Sequence, residues 1–278
     1  MMDLSMTKDE FLLIRYLIEQ ECGIAVEEEK VYLLESRLLT LVLENGCTTF
    51  GEFYLKVKAD TEGLKEKVVD AMTTNETLWF RDEGPFVVLK ERLFPELHKE
   101  IELGNKRNVR IWSAACSTGQ EPYSIALTAL QTRLSRLVDA NLSILATDIS
   151  PSALKVAKSA KYNPIAISRG LPAELKDQYF ENAPPSWILK DEVKNKVEFK
   201  PFNLQNSFSS LGKFDVIMLR NVAIYFSHSF KVDLFTRLAQ SLNPGGYLFL
   251  GASESLLGYN DDFKTLEHGR FTFYQLKD

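Results

Sequence analysis

The segment IWSAACSTGQEP, residues 111–122, holds the first residues whose types and spacing suggest chemistry. The segment VRIWSAA, residues 109–115, predicts a buried strand, and small residues from Ala114 to Gly119 lead from it into a helix predicted over 121–137. Small side chains let a ligand lie against the backbone at the carboxyl ends of the strands, where open α/β sheets bind ligands. The segment lacks the glycines of a dinucleotide fingerprint and the lysine of a Walker loop. By itself, it is equally compatible with an ordinary strand-to-helix turn.

A carboxylate ends the next predicted strand. This strand covers 142–148, and Asp148 lies 29 residues after Gly119. An acidic residue at this point of a nucleotide-binding sheet can accept hydrogen bonds from both ribose hydroxyls. The alternative role, an N-cap for the next helix, is already filled by Ser150, which precedes Pro151. Together, the loop and the carboxylate predict a ligand with a ribose but no diphosphate, for which S-adenosylmethionine is the common candidate.

Polar residues also mark the segment TTNETLWFRD, residues 73–82, which joins two differently patterned halves of the chain. Asn75, Thr77 and Arg81 supply hydrogen-bond donors and acceptors there, beside aromatic residues that we expect to be exposed. The end of a helix followed by a turn would explain Asn75 but not Arg81. The segment is therefore a candidate part of the ligand site.

A third candidate segment is RNVAIYF, residues 220–226, which follows a strand predicted over 213–219. Arg220 and Asn221 are therefore expected at the carboxyl end of the sheet, with Tyr225 close behind. Taken alone, Tyr225 is as compatible with a half-buried core aromatic as with a site residue. The three histidines lie far apart in the sequence and lack metal-ligand spacing, so they support neither a metal site nor a catalytic triad.

The elements that position these segments fall into two groups. The first 80 residues predict helices throughout, beginning with capping-box spacing between Thr7 and Glu10 and including a helix that ends near Asn45-Gly46. Later residues predict strands alternating with helices, which indicates a doubly wound, mostly parallel sheet of the α/β class. We therefore predict a helical domain over 1–75 and a Rossmann-like domain over 76–278.

The stretch 161–196 interrupts the alternation of strands and helices and is interpreted as a small inserted subdomain. Further strands are predicted over 197–202, 246–252 and 270–276, and further helices over 151–160 and 229–242.

Charge and composition narrow the class of protein. The 278 residues include 38 acidic and 33 basic side chains, for a net charge of −5, which argues against general nucleic-acid affinity. Residues 1–82 have 17 acidic against 9 basic side chains, so the acidity belongs to the helical half. No apolar run approaches the roughly 18–20 residues of a membrane helix. Three widely spaced cysteines and an N-terminus without an apolar signal region predict a cytoplasmic protein with reduced thiols. No pattern demands more than a monomer.

Five segments, in their order and spacing, closely resemble the chemotaxis receptor methyltransferases, the CheR family. They are TTNETLWFRD, IWSAACSTGQEPYSIAL, ATDIS, RNVAIYF and PGGYLFLGASESL. The resemblance extends over essentially the whole chain and implies an S-adenosylmethionine-dependent enzyme that esterifies glutamate side chains of bacterial chemoreceptors and releases S-adenosylhomocysteine. For such an enzyme we expect Arg81 to orient the substrate glutamate and the methionine end of the cofactor. We expect Tyr225 to line the methyl-transfer channel and to donate a hydrogen bond to the incoming carboxylate. The implied cofactor contacts are Asn75, Thr77, Arg81, Glu121, Asp148, Asn203, Leu204, Arg220 and Asn221.

The implied partner is the helical bundle of the receptor's cytoplasmic region. Relatives present several basic residues on the second N-terminal helix, but here residues 27–45 contain two, Lys30 and Arg37, among five glutamates. These two are candidate receptor contacts, and electrostatic steering toward an acidic bundle is expected to be weak. In the family, the inserted subdomain can bind a pentapeptide at the receptor tail. Here the hairpin region within 180–199 is short and lacks a glycine turn, which favours an enzyme that does not need the pentapeptide.

Two other functions share parts of this pattern. A nucleic-acid methyltransferase would have the same sheet and Asp148, but amino methylation of bases uses an Asp/Asn-Pro-Pro-aromatic motif, and here Asn221 is followed by Val-Ala-Ile-Tyr. A non-catalytic signalling module would bind S-adenosylmethionine or S-adenosylhomocysteine without transferring methyl. The presence of both Arg81 and Tyr225 argues against this module.

Overall fold

The computed structural model describes residues 4–60 and 63–277, apart from the side chains of residues 136, 139 and 140. The N-terminal part contains the helices α1 (Lys8–Cys22), α2 (Val31–Glu44), α3 (Phe50–Ala59) and α4 (Leu64–Met72). The predicted capping box is present at the start of α1, and Thr49 caps α3 by accepting the amide of Glu52. Because apolar residues recur on one face of each helix, the four helices share a single core that includes Phe11, Leu38 and Phe53.

A seven-stranded sheet forms the centre of the second part. The strands are β1 (Val109–Ala114), β2 (Leu142–Asp148), β6 (Val197–Pro201), β7 (Phe214–Leu219), β8 (Leu242–Leu250), β9 (Phe263–His268) and β10 (Phe271–Leu276). Their order is β6-β2-β1-β7-β8-β10-β9. The first five in this order pair in parallel, whereas β10 is antiparallel to both neighbours. This confirms the predicted doubly wound, mostly parallel sheet.

Helices cover both faces of this sheet. They are α5 (Gly84–Val88), α6 (Phe94–Glu102), α7 (Gln120–Gln131), α8 (Ser135–Ala140), α9 (Pro151–Ser159) and α13 (His228–Ser241), with a π-helical segment, Leu89–Leu93, between α5 and α6. Along β1, Val109 and Ile111 belong to one apolar core, whereas Trp112 and Ala114 belong to another on the opposite face. Apolar side chains therefore occur on both faces of β1, as is typical of a parallel strand covered by helices on both sides.

The insertion predicted at 161–196 is a small subdomain built on an antiparallel sheet. It contains β3 (Lys161–Tyr162), α10 (Pro164–Ser168), α11 (Ala173–Tyr179), β4 (Phe180–Ala183), β5 (Ser186–Leu189) and α12 (Asp191–Lys194). Its strand order is β3-β5-β4, and the β4–β5 hairpin turns through Pro184-Pro185 rather than through a glycine.

Three details differ from the sequence-based expectations. The helix predicted over 121–137 is two helices, α7 and α8, because Arg133 adopts a left-handed φ of 57° that a helix cannot contain. Strand β8 begins at Leu242, so Asn243-Pro244-Gly245-Gly246 lies within the strand rather than after a helix end. The edge strand β9 was not predicted, because its exposed residues at 264, 265 and 267 give it little apolar character.

Among the helices in the described ranges, none combines the length and the apolar character needed to cross a membrane. Cys22, Cys47 and Cys116 are buried, and none of them forms a disulfide.

Candidate active site

A cleft opens at the carboxyl ends of β1, β2, β6 and β7, with the N-terminal helical part forming one of its walls. The open space of the cleft together with its mouth is about 930 Å³. The structure brings together around this cleft all ten residues that the sequence and the family resemblance nominated. They are Asn75, Thr77, Arg81, Glu121, Asp148, Asn203, Leu204, Arg220, Asn221 and Tyr225. Cys22 and Ile24, from the end of α1 and the segment after it, complete one side.

Asp148 is buried at the end of β2. Its Oδ2 accepts the amide of Ser117 at 2.7 Å, and its Oδ1 accepts the amide of Ser150 at 2.9 Å. Burial raises the pKa of this carboxyl, and the backbone hydrogen bonds oppose that rise. Each carboxylate oxygen has two lone pairs, so each retains acceptor capacity toward the cleft. The Asp148 carboxylate is therefore placed to accept hydrogen bonds from the two hydroxyls of a ribose in the cleft.

The loop after β1 turns through three residues with left-handed backbones, Ala115 at φ 62°, Ser117 at 51° and Gly119 at 93°. This path directs the Ser117 amide onto Asp148. A Cβ at Gly119 would lie 2.9 Å from the Cβ of Ala157, so α9 could not pack this closely against a larger residue. Both the turn and the packing therefore require small residues here, as expected for an ordinary strand-to-helix turn. The same turn also lines the cleft.

Arg220 is a buried charge in the lining, with 1% of its side chain exposed. Nη1 donates to Glu121 Oε2 at 2.8 Å, and Nη2 donates to Asp82 Oδ2 at 2.8 Å and to the carbonyl of Arg81 at 2.5 Å. Glu121 also accepts the hydroxyl of Ser113 at 2.7 Å. Burial raises the pKa of Glu121, and the guanidinium of Arg220 opposes the rise. Within the described residues, Nε of Arg220 is buried without a partner.

The segment 73–82 runs along the cleft as extended chain and turns. Asn75 donates to Thr73 Oγ1 and Ser150 Oγ, and its carbonyl accepts the hydroxyl of Ser117. Arg81 donates to the carbonyl of Glu76 at 3.0 Å, which is the one hydrogen bond its guanidinium makes with the described part of the chain. The other donors of Arg81 are therefore available to a ligand. Thr77 lines the same wall.

The expectation that the aromatics of this segment are exposed is wrong for Trp79, which is fully buried. Its ring packs edge-on against Tyr162 and Phe180 of the inserted subdomain, with centroids 5.0 and 5.4 Å apart. Its amide also donates to the carbonyl of Arg169. The residues that bury Trp79 lie about 80 to 100 positions later in the chain, so no local sequence pattern could reveal its burial.

The loop after β7 brings Tyr225 to the mouth of the cleft. Tyr225 belongs to a short 3₁₀ turn, Ala223–Tyr225, and is 36% exposed. Its hydroxyl has no hydrogen-bond partner among residues 4–60 and 63–277, whereas its carbonyl accepts the amide of Ala25. The tyrosine is thus anchored through its backbone and contributes to the lining of the cleft.

Contacts between the two halves of the chain close the opposite side. Asn203 Nδ2 donates to the carbonyl of Glu21 at 2.7 Å, and Gln205 Nε2 donates to that of Glu19 at 2.9 Å. A lone β-bridge pairs Ile24 with Phe226. These contacts hold the end of α1 against the site, so the helical part is a structural component of the cleft wall.

The two candidate receptor contacts have different surroundings. Lys30 is exposed and pairs with Glu27 at 2.9 Å. Arg37 donates instead to the carbonyls of Met72 and Thr73, at 2.5 and 2.9 Å, and to Thr74 Oγ1. Its guanidinium therefore anchors the segment that lines the cleft, which weakens the case for Arg37 as a docking residue. The role of Lys30 in docking stays a prediction.

The donor set of the cleft matches S-adenosylmethionine in its chemistry. Asp148 would accept the ribose hydroxyls, apolar side chains such as Ile149 and Leu204 would contact a flat base, and Arg81 would bind the amino-acid carboxylate. Within the described ranges, no group of three His, Cys, Asp or Glu side chains has the arrangement of a metal site.

Comparison with known proteins also indicates a protein that binds S-adenosylmethionine. Residues 75–272 match the CheR methyltransferase SAM-binding domain, and residues 9–73 match the CheR methyltransferase all-alpha domain. The chain belongs to the CheR methyltransferase family. This CheR-family chain is 43% identical to chemotaxis protein methyltransferase 1 of Pseudomonas aeruginosa, over 99% of this chain and 100% of that protein. It is 44% identical to chemotaxis protein methyltransferase Cher2 of Pseudomonas putida (96% and 98% covered) and 46% identical to the chemotaxis protein methyltransferase of Vibrio anguillarum (94% of each).

Membership of the CheR family confirms the predicted fold class, the predicted cofactor S-adenosylmethionine and the methyltransferase activity. The roles assigned to individual site residues stay predictions. Sequence reasoning missed three residues that shape the site, namely Asp82, Asp70 and Glu254. Asp82 and Glu254 lie within two of the quoted segments, TTNETLWFRD and PGGYLFLGASESL, but their partners are distant along the chain. Asp70 accepts the hydroxyl of Ser150 at 2.5 Å and so ties α4 to the Asp148 turn.

Proposed function

We propose that this enzyme methylates glutamate side-chain carboxylates of bacterial chemoreceptors, forming methyl esters in chemotactic adaptation. The observation that carries the proposal is a pair of polar side chains at the cleft, Arg81 and Tyr225, that retain hydrogen-bonding capacity for a ligand. Arg81 retains most of its guanidinium donors, and the Tyr225 hydroxyl has no partner among the described residues. Both groups can donate to a carboxylate. The names of the relatives, chemotaxis protein methyltransferases, support the same substrate class.

The chemistry needs little from the protein beyond positioning. S-adenosylmethionine, held by residues such as Asp148 and Arg81, would supply a sulfonium methyl group to a glutamate carboxylate oxygen, with S-adenosylhomocysteine as the second product. A glutamate with a pKa of about 4.3 is already ionised near neutral pH, so no general base is required. Arg81 and Tyr225 would orient the incoming carboxylate in line with the methyl, while the cleft walls exclude water.

Arg220 and Glu121 have a supporting role in this account. Because Arg220 binds the carbonyl of Arg81 as well as Asp82 and Glu121, it anchors the end of the segment that carries Arg81. The Arg81 side chain therefore extends from a rigid base, and less conformational freedom is lost when it binds a carboxylate.

The experiment is labelled methyl transfer from S-adenosylmethionine to a purified cytoplasmic fragment of a chemoreceptor, with RNA and no-substrate reactions as controls. We expect label on the receptor fragment that mild base releases as methanol, as a methyl ester requires. Label on RNA would support a nucleic-acid methyltransferase. Cofactor binding without transfer to any substrate would support a non-catalytic signalling module, and either result would refute the proposal.

The charge of the chain bears on how the enzyme docks to its receptor. The acidic helical half offers little attraction to an acidic bundle, and Arg37 is engaged with the segment at 72–74. We propose that receptor recognition by this enzyme depends weakly on salt and does not need a receptor-tail pentapeptide. Titration with such a pentapeptide tests this proposal, and micromolar binding would contradict it.

A further inference from the structure

Glu254 follows strand β8 and is not one of the residues that line the cleft. Its carboxylate accepts four backbone amides. Oε2 accepts those of Asn221 at 2.7 Å and Gly251 at 2.8 Å, and Oε1 accepts those of Val222 at 3.0 Å and Ile224 at 3.3 Å. Three of the four amides belong to the loop after β7. A carboxylate has about four acceptor positions, so this side chain uses its whole capacity on backbone groups.

The loop has a conformation that needs such support. Asn221 adopts a left-handed φ of 57°, a conformation that costs energy for residues other than glycine and that asparagine tolerates better than most. The space around the carboxylate is also closely filled, because a Cβ at Gly251 would lie 2.6 Å from Asn221 Nδ2 and 2.7 Å from Glu254 Oε2. The glycine and the glutamate together let the strand end and the loop approach each other.

We propose that Glu254 is a positioning residue for methyl transfer, which sets Asn221 and Tyr225 in the cleft by binding the backbone of residues 221–224. The loop that it organises carries one predicted cofactor contact and one predicted substrate contact. The inference rests on the proposed function for the substrate step, but its structural part concerns the loop alone.

The test uses Glu254→Gln in the full-length protein. An amide side chain retains one acceptor oxygen and turns an N–H₂ group toward two of the backbone donors, so two of the four hydrogen bonds are lost. Hydrogen–deuterium exchange of the peptide covering 219–227 is expected to accelerate. S-adenosylhomocysteine affinity is expected to fall severalfold, and kcat/KM for the receptor fragment about tenfold to a hundredfold.

A matched control is Asp215→Asn at the opposite end of β7. This buried carboxylate accepts Lys106 Nζ, Asn243 Nδ2 and the amide of Arg110, at 2.5, 2.8 and 2.8 Å. The substitution is expected to lower the melting temperature while leaving exchange in the 219–227 peptide unchanged. General destabilisation would therefore lower the melting temperature alone, whereas loss of loop positioning would also accelerate exchange in the 219–227 peptide.

A double-mutant comparison with Tyr225→Phe tests the link to catalysis. If Glu254 acts by positioning Tyr225, the loss caused by Tyr225→Phe is expected to shrink in the Glu254→Gln background and to keep its full size in the Asp215→Asn background. Fully independent losses in the Glu254→Gln background would overturn the proposal.

Gly251→Ala provides a second perturbation that keeps the carboxylate. Its Cβ would disrupt the same loop by contact, so it is expected to reproduce the faster exchange and the weaker transfer of Glu254→Gln. Wild-type exchange and cofactor affinity in Glu254→Gln would overturn the positioning role. If the wild-type enzyme transfers no methyl to receptor glutamate, the proposed function fails, and the exchange and affinity measurements still decide the role of Glu254.

Discussion

Removing Glu121 tests how the buried Arg220 charge is stabilised. Glu121 and Asp82 both bind this guanidinium at 2.8 Å, but Glu121 is 12% exposed and Asp82 is 34% exposed. Glu121→Ala leaves Arg220 with one carboxylate partner, the partly solvated Asp82, besides the carbonyl of Arg81, and also removes the acceptor of the Ser113 hydroxyl. Breaking a buried pair in this way is expected to reduce the free energy of unfolding by about 3–5 kcal/mol.

Asp82→Ala is the matched comparison, because water can replace a partner that is one-third exposed. Its expected effect is about 0.2–1 kcal/mol. With an unfolding entropy of roughly 2.1 cal/mol/K per residue, a loss of about 3 kcal/mol lowers the melting temperature by about 5 °C, against at most about 2 °C for Asp82→Ala. The exposed residue Glu27, paired with Lys30, provides a control whose replacement by alanine is expected to leave the melting temperature unchanged.

Thermal unfolding of the cofactor-free variants, followed by circular dichroism, measures these differences. Urea unfolding at constant temperature gives the free energies independently. An Asp82→Ala loss equal to or larger than the Glu121→Ala loss would refute the reasoning, because it would show that Glu121 does not dominate the stabilisation of the Arg220 charge.

Three further predictions concern the cleft. Arg81→Ala is expected to lower kcat strongly at saturating cofactor, whereas Asp148→Ala is expected mainly to raise the cofactor KM; equal kcat losses in steady-state assays would exclude the proposed role of Arg81. Because the pKa of Asp148 is raised, S-adenosylhomocysteine affinity is expected to fall with decreasing pH before an ordinary aspartate would titrate. Calorimetric titration measures this loss of affinity. Because protonation of Asp148 favours the folded state, lowering the pH is not expected to reduce the melting temperature through Asp148. Gly119→Ala is expected to reduce stability by about 1–3 kcal/mol in urea unfolding, since its Cβ would lie 2.9 Å from Ala157 at a left-handed φ; an unchanged midpoint would contradict this.

The sheet and the general place of the site could be predicted because they depend on local patterns. Apolar runs identified β1, β2 and β7, and the carboxyl ends of neighbouring parallel strands necessarily meet at one edge of the sheet. Ser150 could be identified as a helix cap from its own segment, and its hydroxyl does accept the amide of Ala153. For these features, the residues that cause the structure are close neighbours in the chain.

The remaining features depend on contacts that are distant in sequence. Trp79 is buried by the inserted subdomain, and Arg37 binds a segment 35 residues away. Glu254 binds amides about 30 residues before it. Nothing in the local sequence distinguishes such a carboxylate from a solvated one, because its partners are backbone groups whose positions exist only in the folded chain.

The most direct test of the central claim identifies the residue that receives the methyl group. The enzyme is incubated with S-adenosylmethionine and a receptor cytoplasmic fragment, and the receptor peptides are sequenced by mass spectrometry before and after mild base. We predict one added methyl on specific glutamate side chains, removed by base and absent with the Arg81→Ala enzyme. A methyl group on lysine or another base-stable position, or no modified receptor peptide, would contradict the account.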